Sequence, residues 1–327
     1  MNAKFTFLTQ MLLAVACATI VGIPLVSGVE ERQAPPQVEV VNADGVSTGE
    51  RFEGYLFLDT EGQPLPIQTD GDIEAFLAEA EVIKASSVPT GKTLPQKLTL
   101  KGEGFEAYAV FKNIDIKRRK VTDIINGRKH FSLDWRDSYR YDIAAYELDR
   151  LLGLDRVPPV VPRTIKQDSG AVSIWLAKTV NSADLERVLK VDPPDQKRWN
   201  QQRLIMQIFD NLVANRDSNL GNLIIDPNWR QWFIDCSRCF GATKTIYYPL
   251  EKTSHCERGL WQGLKSLNED EVMESLSPHL GRAEIKALLA RRDKIVQHFQ
   301  KLIDERGEVA VLYDVEPTSE QAPWAVD

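Results

Sequence analysis

Asp217, Asn222 and Asp235 are the residues of this chain whose types and order could do chemistry on a phosphate. Asp217 and Asn222 stand five positions apart in a polar loop, Asn215-Arg216-Asp217-Ser218-Asn219-Leu220-Gly221-Asn222, and Asp235 closes the apolar run Trp232-Phe233-Ile234. Moving a phosphoryl group to a hydroxyl needs such a set. One carboxylate orients the attacking hydroxyl, while an amide oxygen and a second carboxylate hold Mg²⁺ or Mn²⁺ against nucleotide phosphates. Asp and Asn are also common in ordinary loops, so the stretch reads equally well as a β-hairpin with a polar approach. The rest of the chain has to separate the two.

Several elements could position this set. Leu204, Ile205, Ile208, Leu212 and Val213 recur at helical spacing and predict a helix leading into the loop. Leu223-Ile224-Ile225 and Trp232-Phe233-Ile234 predict two strands around a turn at Asp226-Pro227-Asn228. Upstream, Lys112 ends the apolar strand predicted over 107–112. Residues 140–152 predict a helix with Ile143, Ala144, Leu148, Leu151 and Leu152 on one side and Gly153 as its stop. A phosphate-binding lysine needs a carboxylate from a helix; Asp142 or Glu147 could supply it, with Asp149 left to solvate the helix. Residues 73–80 predict a short helix capped by Asp70 or Asp72. Between strands entered at Val82 and Lys97, the small-residue loop 86–93 could cover phosphates with its N–H groups. Gly91-Lys92-Thr93 lacks the earlier glycine of a P-loop. The Pro-containing run 157–161 is extended, and 172–180 predicts a strand able to join two lobes.

The chain has 327 residues and a formal charge of −7, which gives no support for a nucleic-acid partner. Lys117-Arg118-Arg119-Lys120 reads as a solvated surface turn. After Lys4, residues 5–27 carry no charge. Val26-Ser27-Gly28 then offers small residues for cleavage, so 1–28 reads as a signal peptide, or as an uncleaved signal anchor. Either way the folded part is expected outside the cytosol: secreted, lumenal or periplasmic, and at a membrane only if that segment is kept. Residues 29–50 read as a linker, and 261–276 and 283–303 as helices of a lobe core. The acidic, Pro-containing 311–327 reads as a mobile tail. Of the cysteines, Cys236 and Cys239 form a Cys-x-x-Cys beside Asp235. A disulfide from Cys256 to one of them is preferred to a Cys₃His zinc site with His255, because adjacent His255 and Cys256 rarely face one ion.

In order, the chain carries Ala109-Val110-Phe111-Lys112, the block from Asp142 through Gly153 to Arg156-Val157-Pro158-Pro159-Val160-Val161, and Phe209-Asp210 through Asp217 to Gly221-Asn222. Ile234-Asp235 and Phe240 complete the series. Asp, Asn, Asp is the protein-kinase order. Over about residues 81–245 the series resembles the atypical kinases of the secretory pathway: the Golgi casein kinase, the proteoglycan xylosylkinase and the four-jointed kinase. More distantly it is similar to phosphatidylinositol 3- and 4-kinase catalytic domains.

The resemblance implies an α+β, two-lobed protein-kinase-like fold, with a sheet-rich small lobe over 51–170 and a mainly helical large lobe over 171–310. It implies ATP and Mg²⁺ or Mn²⁺ as cofactors and a hydroxyl-bearing protein, glycan or lipid as acceptor. Lys112 and Asp142 would serve the nucleotide phosphates, Asp217 would be catalytic, and Asn222 and Asp235 would hold metal. Phe240 would pack behind them. Asp142 stands where the family usually has Glu, and Ser218-Asn219 where it often has Arg-His. The second departure keeps open an alternative, a pseudokinase that binds nucleotide or scaffolds a partner.

Overall fold

The computed structural model describes residues 57–88, 95–102, 104–125, 128–215 and 217–325. The expected signal segment, the expected linker and most of the loop at 86–93 lie outside them. Among the described residues no helix is long and apolar enough to cross a membrane.

The small lobe opens with helix α1 (Asp70–Glu79), followed by strands β1 (Glu81–Ser87), β2 (Gln96–Lys101) and β3 (Glu106–Lys112). Thr69, rather than Asp70 or Asp72, caps α1: its hydroxyl accepts the N–H of Asp72 at 3.2 Å. A hairpin of β4 (Asp115–Ile125) and β5 (Arg128–Ser138) leads into α2 (Tyr139–Leu152), then β6 (Val160–Ile165) and β7 (Asp168–Ile174). Five strands form one antiparallel sheet in the order β1-β2-β3-β7-β6. Because strand side chains alternate, Leu98, Leu100, Ala107, Ala109 and Phe111 bury one face against Ile73, Phe76 and Leu77 of α1. Val110 and Lys112 point the other way. Lys117 to Lys120 lie along β4 rather than in a turn, with Lys117, Arg118 and Lys120 paired to Arg136, Trp135 and Leu133 of β5. The expected lobe boundary at 170 falls inside β7; the sheet runs on to Ile174, and 175–179 is the connection.

The large lobe holds β8 (Val180–Asn181), a helical turn α3 (Ser182–Asp184) that continues as a π-helix, and α4 (Gln196–Val213). Next come β9 (Leu223–Ile225) and β10 (Gln231–Phe233), which join β8 in a small antiparallel sheet. Then β11 (Cys256–Glu257) precedes α5 (Arg258–Ser266), α6 (Glu269–Leu276), α7 (Arg282–Arg306), α8 (Glu308–Val311) and β12 (Leu312–Tyr313). One core joins Ile143 and Leu148 of α2 to Ile208 of α4, Leu264 of α5, Val272 of α6 and Leu288 of α7. The stop expected at Gly153 is present, with φ 65°.

The C-terminal segment is packed, contrary to its reading as a mobile tail. Leu312 and Tyr313 pair with Cys256 and Glu257, and the Arg198 Nε donates to the Glu316 carbonyl at 2.8 Å. Ala322 is fully buried, and the Trp324 ring lies 5.0 Å from that of Trp229. Its apolar residues are few, but Val311, Leu312, Ala322 and Trp324 pack into or against the large-lobe core. Cys256, fully buried beneath this segment, is a free thiol, while Cys236 and Cys239 bond to each other across a turn with 5.2 Å between their Cα atoms. The pairing expected for Cys256 is thereby overturned: local turn geometry brings its neighbours together and burial withholds it.

Candidate active site

The two lobes enclose a cleft of about 200 Å³, with Val110 and Ala171 from the small-lobe sheet on one side and Met206, Phe209 and Phe233 on the other. Lys112 reaches it because β3 buries alternate residues in the α1-facing core and sends Lys112 to the cleft face. Its ammonium lies 3.3 and 3.4 Å from the two carboxylate oxygens of Asp142, in the first turn of α2, and 2.9 Å from Asp235 Oδ1. Glu147 takes no part; it accepts the Ser275 hydroxyl at 3.2 Å and faces α6.

Burial alone would lower the Lys112 ammonium, but the carboxylates of Asp142 and Asp235 outweigh it and hold it above its ordinary value. Asp235 is held below the usual carboxylate range, chiefly by Lys112. Asp142 moves up, because burial and the neighbouring Asp235 exceed the attraction of Lys112. The side chain of Asp142 is 12% exposed and that of Asp235 is 37% exposed. Asp235 is therefore the more accessible of the two carboxylates, and Asp142 the more enclosed.

Asp235 follows β10 with φ 60°, a left-handed conformation that Asp tolerates better than most residues. The turn it opens is knit to the start of α2. The Cys236 N–H donates to Asp142 Oδ1 at 2.8 Å, and the Ser138 N–H donates to the Ser237 carbonyl at 2.8 Å. Behind it Phe240 is fully buried, its N–H on the Val213 carbonyl and its ring 5.8 Å from Tyr141.

Asn215, Asn222 and Asp210 line the cleft from the large lobe, and Asp217 sits beside them with its side chain 39% exposed. The Asp217 N–H donates to Asn215 Oδ1 at 2.9 Å, and its carbonyl accepts Asn222 Nδ2 at 3.2 Å. With Nδ2 so used, Asn222 keeps an amide oxygen for another ligand. Asn219 is part of the loop's own architecture: Oδ1 accepts the Gly221 N–H at 2.8 Å and Nδ2 donates to the Asp217 carbonyl at 3.0 Å. A His at this position would lose that pair of bonds.

Three residues were missed in reading the sequence. Asp210, pushed up to about 6 by burial against bonds from Ser218 and Asn215, accepts Asn215 Nδ2 at 2.8 Å and so anchors the loop. The signal for it was a charged residue inside the apolar face of a helix. Arg238, which binds Asp217 Oδ2 at 2.9 Å, had no such signal. Asp149, read as a solvent-facing residue, is buried and accepts the Arg156 N–H with both oxygens, at 3.0 and 3.1 Å.

Among the described residues no three His, Cys, Asp or Glu side chains gather in a metal cage. Asn222 and Asp235 nevertheless offer the hard oxygen donors that Mg²⁺ and Mn²⁺ accept. Such ions at nucleotide sites use one or two carboxylates and complete their shell from phosphates and water, so the donor set fits.

Residues 68–180 match the family model described as Golgi casein kinase, C-terminal, Fam20. That span contains Lys112 and Asp142 and ends before Asp217. A structure of hydra Fam20 with sugar has 19% sequence identity and a TM-score of 0.55, over 76% of this chain and 94% of that one. A crystal structure of the Golgi casein kinase has 18% identity and a TM-score of 0.54, and another with Mn and ADP bound has 18% identity and 0.53. Each covers 75% of this chain and 79% of its own. No curated protein sequence matches. The fold is α+β and kinase-like, and the resemblance to the Golgi casein kinase family is supported.

Proposed function

We propose that this protein is an ATP-dependent kinase of the secretory-pathway type, which transfers the γ-phosphoryl group to a hydroxyl of a protein, glycan or lipid acceptor. The observation that carries the reading is the convergence of Lys112, Asp142 and Asp235, drawn from three separate elements, on a cleft that Asn222 also lines. Lys112 would present its ammonium to the nucleotide phosphates, held in place by Asp142. Asn222 and Asp235 are the residues that would hold Mg²⁺ or Mn²⁺, which when bound neutralises charge on the phosphates. Asp217 orients the acceptor hydroxyl and takes its proton. The apolar walls formed by Val110, Met206 and Phe209 accept the base and exclude water.

The uncharged N-terminal run supports work outside the cytosol, at a membrane only where that run is retained as an anchor; the charge balance supports no nucleic-acid partner. The loss of the family's His at Asn219 supports the second reading, a pseudokinase that binds nucleotide without transferring phosphate. One experiment separates the two: Mn²⁺- and Mg²⁺-dependent ATP consumption by the purified protein, beside nucleotide affinity, for the parent and for Asp217→Asn. Consumption that depends on metal and on Asp217 supports the kinase. Nucleotide binding with no consumption supports the pseudokinase, and absence of both removes the nucleotide reading.

A further inference from the structure

Arg238 occupies the middle of the short loop that Cys236 and Cys239 close. Its guanidinium joins two carboxylates, with Nε 2.8 Å from Asp137 Oδ2 and Nη1 2.9 Å from Asp217 Oδ2. The Trp135 ring lies 5.3 Å from its centre. Asp137 is 1% exposed, and its other oxygen has no hydrogen-bond partner among the described residues. A buried carboxylate needs a counter-charge, so Asp137 holds one arm of the guanidinium firmly, while Trp135 restricts its plane. Asp217 is in the opposite situation: it stands in a loop, exposed enough to turn among several rotamers. Nη1 of Arg238 grips one of its oxygens.

We propose that Arg238 is a positioning residue for Asp217, and that the Cys236–Cys239 bridge seats it. The proposal rests on the kinase reading given above. The bridge closes a turn in which the Cys239 N–H also donates to the Cys236 carbonyl at 2.9 Å, and Ser237 and Cys239 are both buried. The same turn carries Asp235 at its start and touches Asp142 through the Cys236 N–H. One sealed loop therefore sets the reacting carboxylate, the metal-facing carboxylate and the counter-charge of Lys112 relative to one another. A general base must sit within hydrogen-bond reach of the proton it takes, and a displacement of about 1 Å can cost about a hundredfold in rate.

The test is a cycle of Arg238→Gln, Arg238→Lys and Asp217→Asn, singly and combined, with kcat, KM for ATP and the unfolding midpoint measured on each purified protein. Arg238→Gln is expected to lower kcat about 10- to 100-fold with KM for ATP changed less than about twofold, and Arg238→Lys to recover part of the loss. In the Asp217→Asn background Arg238→Gln should change kcat by less than about twofold, because a positioning residue has nothing left to position. Asp137→Asn combined with Arg238→Gln removes the unpaired buried charge and keeps the measurement valid if Arg238→Gln alone folds poorly. Cys236→Ser with Cys239→Ser should lower kcat in the same direction, and add nothing once Arg238 is Gln.

Unchanged kcat in Arg238→Gln, or an equal fold-loss with and without Asp217, overturns the proposal; unchanged kcat in the cysteine pair overturns the seat. A parent protein that binds nucleotide but never transfers phosphate overturns the kinase reading and, with it, any catalytic purpose for Arg238. The unfolding cycle, which needs no turnover, then still reports whether Arg238 and Asp217 are coupled.

Discussion

The ammonium of Lys112 stands 2.9 Å from the carboxylate of Asp235, although 123 residues separate them in the chain. Asp142 supports the same ammonium from a third element. Two carboxylates on one lysine are more than a resting ion pair requires. On the proposed reading, the more exposed Asp235 is the residue that would hold a metal ion, and the enclosed Asp142 the one that would hold Lys112.

The metal-holding role proposed for Asp235 is best probed with Asn, because the left-handed φ of 60° would strain an Ala there. Asp235→Asn should keep the fold and the unfolding midpoint close to the parent, yet lower Mn²⁺-dependent ADP affinity at least about tenfold, the scale of a lost charge-assisted contact. Calorimetric titration of ADP with and without Mn²⁺ reads it directly. Equal affinity in the folded variant removes Asp235 from the metal site.

For the helix partner, Asp142→Asn should lower turnover and weaken nucleotide binding, since Lys112 then relies on Asp235 alone. Glu147→Gln should leave turnover as it was, because Glu147 bonds Ser275 on α6. Activity that falls with Glu147 and survives loss of the Asp142 charge would reverse the assignment.

Asp217→Asn keeps its shape and removes its charge. ATP affinity should change little while phosphoryl transfer falls by about two or more orders of magnitude. Asn219→His should not raise activity, as it breaks the bonds from Asn219 to Gly221 and to the Asp217 carbonyl that shape the loop. Transfer rates for both variants beside the parent decide the matter.

Gly170 on β7 lies against the end of β3. A Cβ there would run into the Lys112 carbonyl and the Phe111 ring. Gly170→Ala should therefore destabilise the small lobe by about 1–3 kcal/mol, the range for forced overpacking, and weaken ATP binding through Lys112. Denaturant unfolding with nucleotide titration checks both effects.

Asp149 is pushed up to about 8, first by burial and then by the Asp155 carboxylate, against N–H bonds from Arg156 and Val157. Unfolded, it ionises near its ordinary value, so between about pH 4 and that raised value the native protein holds a proton the unfolded chain has released. Stability from this group is thus greatest on the acid side and falls as pH rises through the window. Asp149→Asn should flatten that fall relative to the parent in unfolding midpoints measured across it. An identical slope would show that Asp149 is ionised throughout.

By itself the sequence determined the elements and the chemistry they could bear. The 3.6-residue spacing over 204–213 and the alternation over 107–112 are local signals, because burial of one face is a local constraint. The types and order of Asp217, Asn222 and Asp235 suggested phosphoryl transfer beside a plain hairpin, and the resemblance to the secretory-pathway kinases was what favoured that reaction and added Lys112 and Asp142. Tertiary structure alone decided which groups meet. Asp142 rather than Glu147 faces Lys112 because of the rotation of α2 against β3, a packing outcome that two carboxylates on one helix leave open. Cys236 pairs with Cys239 because a turn brings them together, while Cys256 is buried where β11 pairs with β12. Arg238 was hidden for the same reason: an arginine between two cysteines carries no periodic signature, and its partners Asp137 and Asp217 lie 101 and 21 residues away. Local periodicity is written along a chain; the pairing of charges across a cleft exists only once two lobes have closed around it.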